Sequence, residues 1–256
     1  MKIRILGAHN CESKTTKLTS LLVDDTIVID TGGLTSSLSF SAQKQIKAIL
    51  LTHQHYDHIR DVLTIAFNFA MEWATIKVYS TTHVHQALSI LLGNHIYPNF
   101  LEWPSKEKPA IDFTTVTPYQ TEQIAGYHIL PLPVNHSVPT VGYQVTSPEG
   151  NTVFYTGDTG PGLTNCWERI SPQLLITEVS APNQFQELYQ ARGHLTPRLL
   201  KQELVGFREL KGYLPQVVIV HINPGLEPEI AAEIAEIARD LNHPVTLGHE
   251  GMQIKL

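Results

Sequence analysis

The feature that most constrains this chain is a dense group of histidines placed directly after a short apolar segment. The apolar run at residues 48–51 predicts a buried strand, and residues 57–72 have the apolar spacing of an amphipathic helix. Within six positions at this junction stand four side chains that commonly bind metals: His53, His55, Asp57 and His58. They can face one point only where the chain turns compactly from strand to helix. Imidazole and carboxylate ligands without thiolates suit Zn²⁺, and also Mn or Fe.

Residues of metal-binding type also stand at the ends of three later predicted strands. They are His136, Asp158 and His221. A buried neutral histidine or a turn acid would explain any one of these positions alone. Because strand ends meet at the edges of sheets, their recurrence indicates one shared site. His194 has a different context, since it stands just before a predicted helix start at Thr196 and Pro197.

The periodicity along the chain predicts a mixed α/β (α+β) fold. Strand-like segments span residues 2–6, 19–23, 26–30, 48–52, 76–80, 127–132, 141–146, 152–156, 174–178 and 217–221. Helical spacing spans residues 57–72, 82–92, 197–212 and 227–241. Early strands are grouped as hairpins and later strands alternate with helices, which is typical of a sheet-on-sheet core covered by helices. The irregular residues 93–118 are interpreted as an insertion over a site.

Composition and length narrow the possible classes. No repeat, low-complexity segment or linker divides the chain, so we expect a single domain over residues 1–256. The net charge of −6 argues against a protein that coats nucleic acid. No segment reaches about 18 consecutive apolar residues, and residues 1–6 alternate like a strand instead of forming a secretory signal. With only 2 cysteines, we expect a cytoplasmic protein with neither nucleic acid nor membrane as a partner.

The polar residues together resemble the ligand set of the metallo-β-lactamase-fold hydrolases. The resemblance rests on the motif His-x-His-x-Asp-His at residues 53–58 and on the three later positions. It implies a four-layer αββα sandwich with two divalent metal ions between the edges of two sheets. It assigns one ion to His53, His55 and His136 and the other to Asp57, His58 and His221, with Asp158 bridging. Zn²⁺ is the expected metal, with Mn and Fe as alternatives, and such a centre would attract an anion even in an acidic chain.

Four further segments resemble the class II cyclic-nucleotide phosphodiesterases. They are residues 96–100, 156–161, 193–197 and 221–224. This resemblance implies hydrolysis of a small phosphodiester, 3′,5′-cyclic AMP or GMP, to the 5′-monophosphate by a metal-bound hydroxide. Asp57 would orient or deprotonate the nucleophile, and His194 would protonate the leaving alkoxide or stabilise the phosphorus. Tyr56 departs from the pattern, because the family usually has a small aliphatic residue at that position.

Several other side chains have two interpretations from the sequence. Glu178 would either orient a site histidine or face solvent, and Asp30 would either support the metal ligands or close a turn before two glycines. Tyr97, Phe100 and Trp103 would either stack on a nucleobase or pack in the core.

Three other functions stay open from the sequence. An RNA 3′-processing ribonuclease of the same fold has a similar motif at residues 193–196, but such enzymes grip tRNA with a basic arm that this acidic sequence lacks. An iron-dependent oxidoreductase of this fold is the second, although the di-iron flavoprotein group has Glu where this chain has Gln54. A non-catalytic metal-binding regulator is the third. A homodimer is compatible with each of them.

Overall fold

The computed structural model describes residues 1–93 and 98–256, which form two large sheets with helices on their outer faces. The strands are β1 (Lys2–Gly7), β2 (Ser20–Val23), β3 (Ile27–Ile29), β4 (Ala48–Leu50), β5 (Ile76–Ser80), β6 (Pro104–Ser105), β7 (Lys108–Pro109), β8 (Ile111–Thr115), β9 (Glu122–Ile124), β10 (Tyr127–Val134), β11 (Thr140–Thr146), β12 (Thr152–Tyr155), β13 (Leu174–Glu178), β14 (Gln216–Val220), β15 (Val245–Leu247) and β16 (Gln253–Lys255). The helices are α1 (Leu34–Ser37), α2 (Phe40–Gln43), α3 (Tyr56–Ile59), α4 (Val62–Met71), α5 (Thr82–Leu92), α6 (Thr164–Trp167), α7 (Gln186–Ala191), α8 (Pro197–Lys211) and α9 (Glu227–Leu241), with a 3₁₀ turn at Asn183–Phe185.

Each large sheet has seven strands and combines antiparallel with parallel pairing. The first sheet has the order β16-β1-β2-β3-β4-β5-β8, and the second has the order β15-β14-β13-β12-β11-β10-β9. Strands β3, β4, β5 and β8 run parallel in the first sheet, and β12 to β15 run parallel in the second. The carboxyl ends of parallel strands meet at one edge of a sheet, which is where open α/β sheets usually place their sites.

The inner faces of the two sheets pack against each other and form the central core. Ile29 and Leu50 of the first sheet and Tyr143 and Ile176 of the second are at most 1% exposed within one apolar cluster. Helices α4 and α5 bury apolar side chains on the outer face of the first sheet, and α8 and α9 do so on the second. The layers therefore follow the order αββα, which confirms the predicted fold class.

Several elements lie where the periodicity predicts them. Strands β5 and β13 and helices α5 and α9 have the predicted bounds. In these elements the apolar side chains repeat with the period of a strand or of a helix, so the local pattern agrees with the burial in the folded protein. Among the residues described, no helix combines the length and the apolar character needed to cross a membrane.

The predicted single helix over residues 57–72 is wrong, because the chain forms α3 and α4 with a break at Arg60 and Asp61. The Asp61 amide donates to the Thr31 carbonyl at 3.2 Å, and the Asp61 carboxylate accepts from the Thr35 amide at 2.7 Å. These tertiary hydrogen bonds replace the helical pattern at that point. The break separates the short helix that carries the polar motif from the longer helix that covers the sheet.

Most of the described part of residues 93–118, interpreted from the sequence as an insertion over a site, belongs to the first sheet and its outer core, and the end of the segment, at residues 115–118, lines a cavity. The described part forms a β6–β7 hairpin and β8, which pairs in parallel with β5 at the edge of the first sheet. Phe100 is 0% exposed in the outer core with α4 and α5, and Trp103 packs against the same cluster. Core packing is therefore the correct interpretation for these two aromatic residues. Tyr97 lies outside the described residues.

Replacement of Ile176 by alanine should lower the free energy of unfolding by about 2–5 kcal/mol, because it opens a cavity between the sheets. Ile176 is 0% exposed in the central core, whereas Leu210 on α8 is 49% exposed. The control Leu210→Ala should change the free energy of unfolding by no more than about 0.5 kcal/mol. Urea denaturation followed by circular dichroism measures both values, and equal effects would contradict the packing described here.

Candidate metal centre

The polar motif at residues 53–58 lies where the chain leaves β4 and turns into the short helix α3. The Leu51 amide donates to the Tyr79 carbonyl at 2.9 Å, which keeps this segment beside β5. Thr31 anchors the other end, because its amide donates to the His58 carbonyl at 2.7 Å and its hydroxyl donates to the same carbonyl at 3.1 Å. The turn is thus held at both ends by strand termini of the first sheet.

One group of candidate ligands combines this turn with two residues of the second sheet. Its members are His53, His55, His136 and Asp158, and their ligand atoms lie within 4.8 Å of one another. His136 Nε2 is 3.1 Å from His55 Nδ1. His53 Nε2 and His136 Nε2 each lie 3.8 Å from Asp158 Oδ2. Four donors at this separation can surround a single cation.

A second group shares Asp158 with the first. Its members are Asp57, His58, Asp158 and His221, again within 4.8 Å of one another. His58 Nε2 is 3.2 Å from Asp158 Oδ1, and His221 Nε2 is 3.3 Å from Asp158 Oδ2. His221 Nε2 also lies 3.1 Å from Asp57 Oδ2. The structure thus brings all seven predicted ligands together, with one carboxylate between the two groups.

Unpartnered polar atoms show that the centre fits metal ions. His53 Nε2, His58 Nε2 and Asp158 Oδ1 are buried and form no well-aligned hydrogen bond, although the last two atoms lie 3.2 Å apart. A buried polar atom left without a partner costs about 1–3 kcal/mol, so such atoms are rare in folded proteins. Here three of them, all of a type that coordinates divalent metals, lie in one place. The residues present therefore fit a divalent-metal site.

The second nitrogen of each of three histidines is fixed by a neighbour. The His53 Nδ1 lies 2.9 Å from Thr52 Oγ1, and the His136 Nδ1 lies 2.9 Å from the Gly193 carbonyl. The His221 Nδ1 lies 2.7 Å from Ser180 Oγ. Donation from Nδ1 in each case leaves Nε2 free to coordinate, which is the usual arrangement of metal-binding imidazoles.

Asp30 supports His58 from beneath the site. Asp30 is 0% exposed, and its Oδ2 lies 2.7 Å from His58 Nδ1. The carboxylate also accepts from the Thr52 amide at 2.9 Å and from the Tyr155 hydroxyl at 3.2 Å. Of its two interpretations, support of a site residue is therefore the one the structure shows. Burial opposes the charged form of His58, but the surrounding carboxylates raise its pKa, so a bound cation would displace a proton there.

Burial and neighbouring charges set the protonation of the other ligands. Burial is the main cause that lowers the pKa of His53, His55 and His136, so these imidazoles are neutral at pH 7. Burial alone would raise the pKa of Asp57 and of Asp158, but nearby histidines hold both pKa values low. The first ligand group therefore offers three neutral imidazoles, and both aspartates are carboxylates, which is the state that binds divalent metals.

His194 lies beside both ligand groups. Its ring stacks on His221 with centroids 5.4 Å apart and meets His136 edge-on at 5.0 Å. Its Nδ1 is 2.8 Å from Glu178 Oε1, and Glu178 is 0% exposed, so Glu178 orients this histidine instead of facing solvent. Burial lowers the pKa of His194, but the Glu178 carboxylate outweighs it and raises that pKa to about 9. Protonated His194 can therefore donate a proton at neutral pH.

Ser180 is a residue of the site that the sequence analysis missed. Its Oγ donates to Glu178 Oε2 at 2.7 Å and lies 2.7 Å from the His221 Nδ1. It thereby links the carboxylate that holds His194 to the histidine of the second ligand group. Its position two residues after a buried strand is the sole sequence signal for this role.

Gly193 allows the first ligand group to form. It has a φ of +77°, and a Cβ at this position would lie 2.7 Å from the His136 Cα. Any side chain would therefore push the His136 backbone away while also straining the local conformation. The glycine lets its carbonyl approach the His136 ring closely enough to orient it.

Comparison with known proteins agrees with this geometry. The family described as beta-lactamase superfamily domain matches residues 26–222. The chain belongs to this family. Together with the cluster of histidines and carboxylates, family membership makes it a metal-dependent hydrolase of the metallo-β-lactamase fold. A search of curated protein sequences found no significant match.

Solved structures share the fold over essentially the whole chain. Unliganded yeast PDE1 has a TM-score of 0.83 at 16% identity, covering 100% of this chain and 99% of the yeast chain. The metallo-beta-lactamase fold protein YhfI from Bacillus subtilis has a TM-score of 0.77 at 18% identity, covering 99% and 98% of the two chains. Zn(2+)-bound PqqB from Methylobacterium extorquens has a TM-score of 0.75 at 15% identity, covering 100% of both. At these identities the similarity establishes the fold.

Replacement of Asp30 by asparagine in this metallo-β-lactamase-fold hydrolase should weaken metal binding about 10- to 100-fold, because His58 loses the carboxylate that orients it. Asp25→Asn is the control, because the Asp25 side chain is 50% exposed and pairs with Lys2 instead of a histidine of the site. Competition with a fluorescent zinc chelator measures the affinity of each variant. An Asp30→Asn protein that is folded and binds metal as tightly as the wild type would contradict the assigned support.

Proposed function

We propose that this protein is a phosphodiesterase that hydrolyses 3′,5′-cyclic nucleotides to 5′-monophosphates with two divalent metal ions, preferably Zn²⁺. The observation that carries the proposal is Asp158, a carboxylate shared by two groups of buried ligands beside the His194–Glu178 pair. Two ligand groups with an adjacent proton donor suit the cleavage of a phosphodiester. The structural similarity to yeast PDE1 and to zinc-bound PqqB supports the choice of substrate and metal.

The seven ligands would hold the ions, and the ions would supply Lewis acidity that activates water and neutralises charge on the phosphoryl group. Asp57 is a carboxylate at every ordinary pH because its pKa is held low. It can therefore accept a hydrogen bond from the attacking water and align it with the phosphorus. The oxygen of that water forms the new bond to phosphorus as the bond to the ribose 3′ oxygen breaks.

His194 is suited to the departing side of the same reaction. Its Nδ1 is occupied by Glu178, so its Nε2 is the atom that can reach the substrate. Since its pKa is about 9, the ring carries the proton that the ribose 3′ alkoxide needs on leaving. The ribose 3′ oxygen keeps this proton as a hydroxyl. One proton of the attacking water stays on the phosphate and the other passes through solvent to His194, so water and the cyclic diester give one 5′-monophosphate.

Metal-loaded protein should hydrolyse cyclic AMP or cyclic GMP. EDTA should abolish the activity because it removes the metal, and the substitution His55→Ala should abolish it because the first ligand group loses a member. His128→Ala is the matched control, since His128 is exposed on β10. Chromatographic detection of the 5′-monophosphate measures the reaction. Full metal occupancy without turnover of either cyclic nucleotide would contradict the proposal, and cleavage of precursor tRNA in the same preparation would favour a ribonuclease instead.

The substitution His194→Ala should lower kcat about 10²- to 10⁴-fold and leave the metal content unchanged, because His194 acts as an acid and not as a ligand. Turnover at saturating substrate and elemental analysis of the dialysed protein measure the two quantities. Loss of metal in this variant would contradict the assigned role.

The pH profile tests the link between His194 and Glu178. The wild-type kcat should fall as the pH rises through about 9, since His194 is active in its protonated form. Glu178→Gln removes the negative charge that raises this pKa, so the alkaline limb should move to lower pH. Glu149→Gln, on an exposed turn, is the control and should leave the limb in place. If kcat of Glu178→Gln falls at the same alkaline pH as kcat of the wild type, a group other than His194 controls this fall.

A further inference from the structure

A cavity of about 430 Å³ opens beside the candidate metal centre. It lies between the ends of β5 and β8 and the connection from β10 to β11, and its volume falls in the range of about 300–1,000 Å³ typical of small-molecule sites. Threonines, prolines and valines form most of its wall, with His83 at the rim. None of the described residues that line it is Asp, Glu, Lys or Arg. Such a wall suits a neutral group with apolar faces and does not suit a phosphate.

Backbone hydrogen bonds place this cavity next to the first ligand group. The Val141 amide, on the cavity wall, donates to the Thr52 carbonyl at 3.1 Å, and Thr52 directly precedes His53. Val134, also on the wall, stands two residues before His136 and pairs with Thr140. The segments that follow the parallel strands β4 and β5 start side by side, because the Leu51 amide donates to the Tyr79 carbonyl. Thr81 stands two residues after Tyr79, and His53 stands two residues after Leu51. The cavity is therefore adjacent to the place where the phosphate of a substrate would bind.

Thr81 provides a buried hydroxyl in the wall of this uncharged cavity. The residue is 8% exposed, and its Oγ1 is buried without a hydrogen-bond partner. The neighbouring Ser80 hydroxyl, in contrast, donates to the Thr81 carbonyl at 3.2 Å. A buried hydroxyl without a partner is unfavourable in the free protein, and a ligand that supplies the partner relieves that cost. A hydroxyl can either donate or accept, so it can pair with the edge of a heteroaromatic ring.

From these observations we infer that the cavity binds the nucleobase of the substrate. Pro118, Pro133 and Pro139 offer rigid apolar surfaces for the faces of a planar ring, and Thr81 Oγ1 bonds to its edge. The base is neutral, which matches the uncharged wall, while the phosphate stays at the metal centre. This inference rests on the proposed function, because it assigns the non-reacting part of the same substrate.

Two variants and one control test the inference in the metal-loaded protein. Thr81→Val removes the hydroxyl and keeps the shape, and Thr115→Trp fills the cavity from its exposed rim. Thr114→Val is the control, because successive side chains of a strand point to opposite faces and Thr114 does not line the cavity. The substrates are cyclic AMP and the ribose 3′,5′-cyclic phosphate that lacks a base. Calorimetric titration with adenosine gives a separate binding measurement.

We expect Thr81→Val to lower kcat/KM for cyclic AMP about 3- to 10-fold, the effect of one lost hydrogen bond, with no change for the base-free diester. Thr115→Trp should abolish adenosine binding and again leave the base-free diester unaffected. Equal losses for both substrates, or failure of the wild type to bind adenosine, would overturn the inference while the phosphodiesterase proposal stands. If neither diester is hydrolysed, the proposed function fails, and adenosine binding that Thr115→Trp abolishes would still support a nucleobase site.

Discussion

One buried carboxylate determines how the candidate centre is organised. Asp158 is 1% exposed, and the imidazoles of four histidines, His53, His58, His136 and His221, lie between 3.2 and 3.8 Å from its oxygens. An isolated carboxylate at this depth would be strongly destabilising, and attraction to histidines alone leaves one of its oxygens without a hydrogen bond. The divalent cations that these residues would hold would compensate the charge of Asp158 and bind the free nitrogens of the histidines. The same carboxylate thereby joins two ligand groups into one centre.

The centre also depends on the packing of one sheet against the other. The motif at residues 53–58 is carried by β4 and α3 of the first sheet, whereas His136, Asp158 and His221 follow β10, β12 and β14 of the second. Neither sheet holds a complete ligand group, so the core between Ile29, Leu50, Tyr143 and Ile176 sets the distances across the site. The neighbouring cavity has the same origin, since its walls come from the ends of strands of both sheets. A rigid sandwich can thus hold the reacting and non-reacting parts of one substrate in a fixed relation.

The sequence predicts well those features that repeat locally and poorly those that depend on tertiary contacts. The strands β5 and β13 and the helices α5 and α9 are periodic, and their bounds are predicted. The strands β8, β9, β15 and β16 are not predicted, because they are the edge strands of the two large sheets, where the apolar pattern is weak, and the last three have only 3 residues each. The helix break at Asp61 depends on a hydrogen bond to Thr31, and the role of Ser180 depends on a contact with His221. No local pattern encodes either contact. The ligand roles of the seven residues remain predictions that the observed clustering supports.

The number of divalent ions held by each chain tests the central claim most directly. Native mass spectrometry of the zinc-loaded wild type and of Asp158→Asn gives this number together with the folded state of each protein. Because Asp158 lies in both ligand groups, the wild type should hold two ions, and the variant should lose the second ion and hold the first weakly. A wild type that holds a single ion, or a folded Asp158→Asn that retains two ions with unchanged affinity, would contradict a shared two-metal centre.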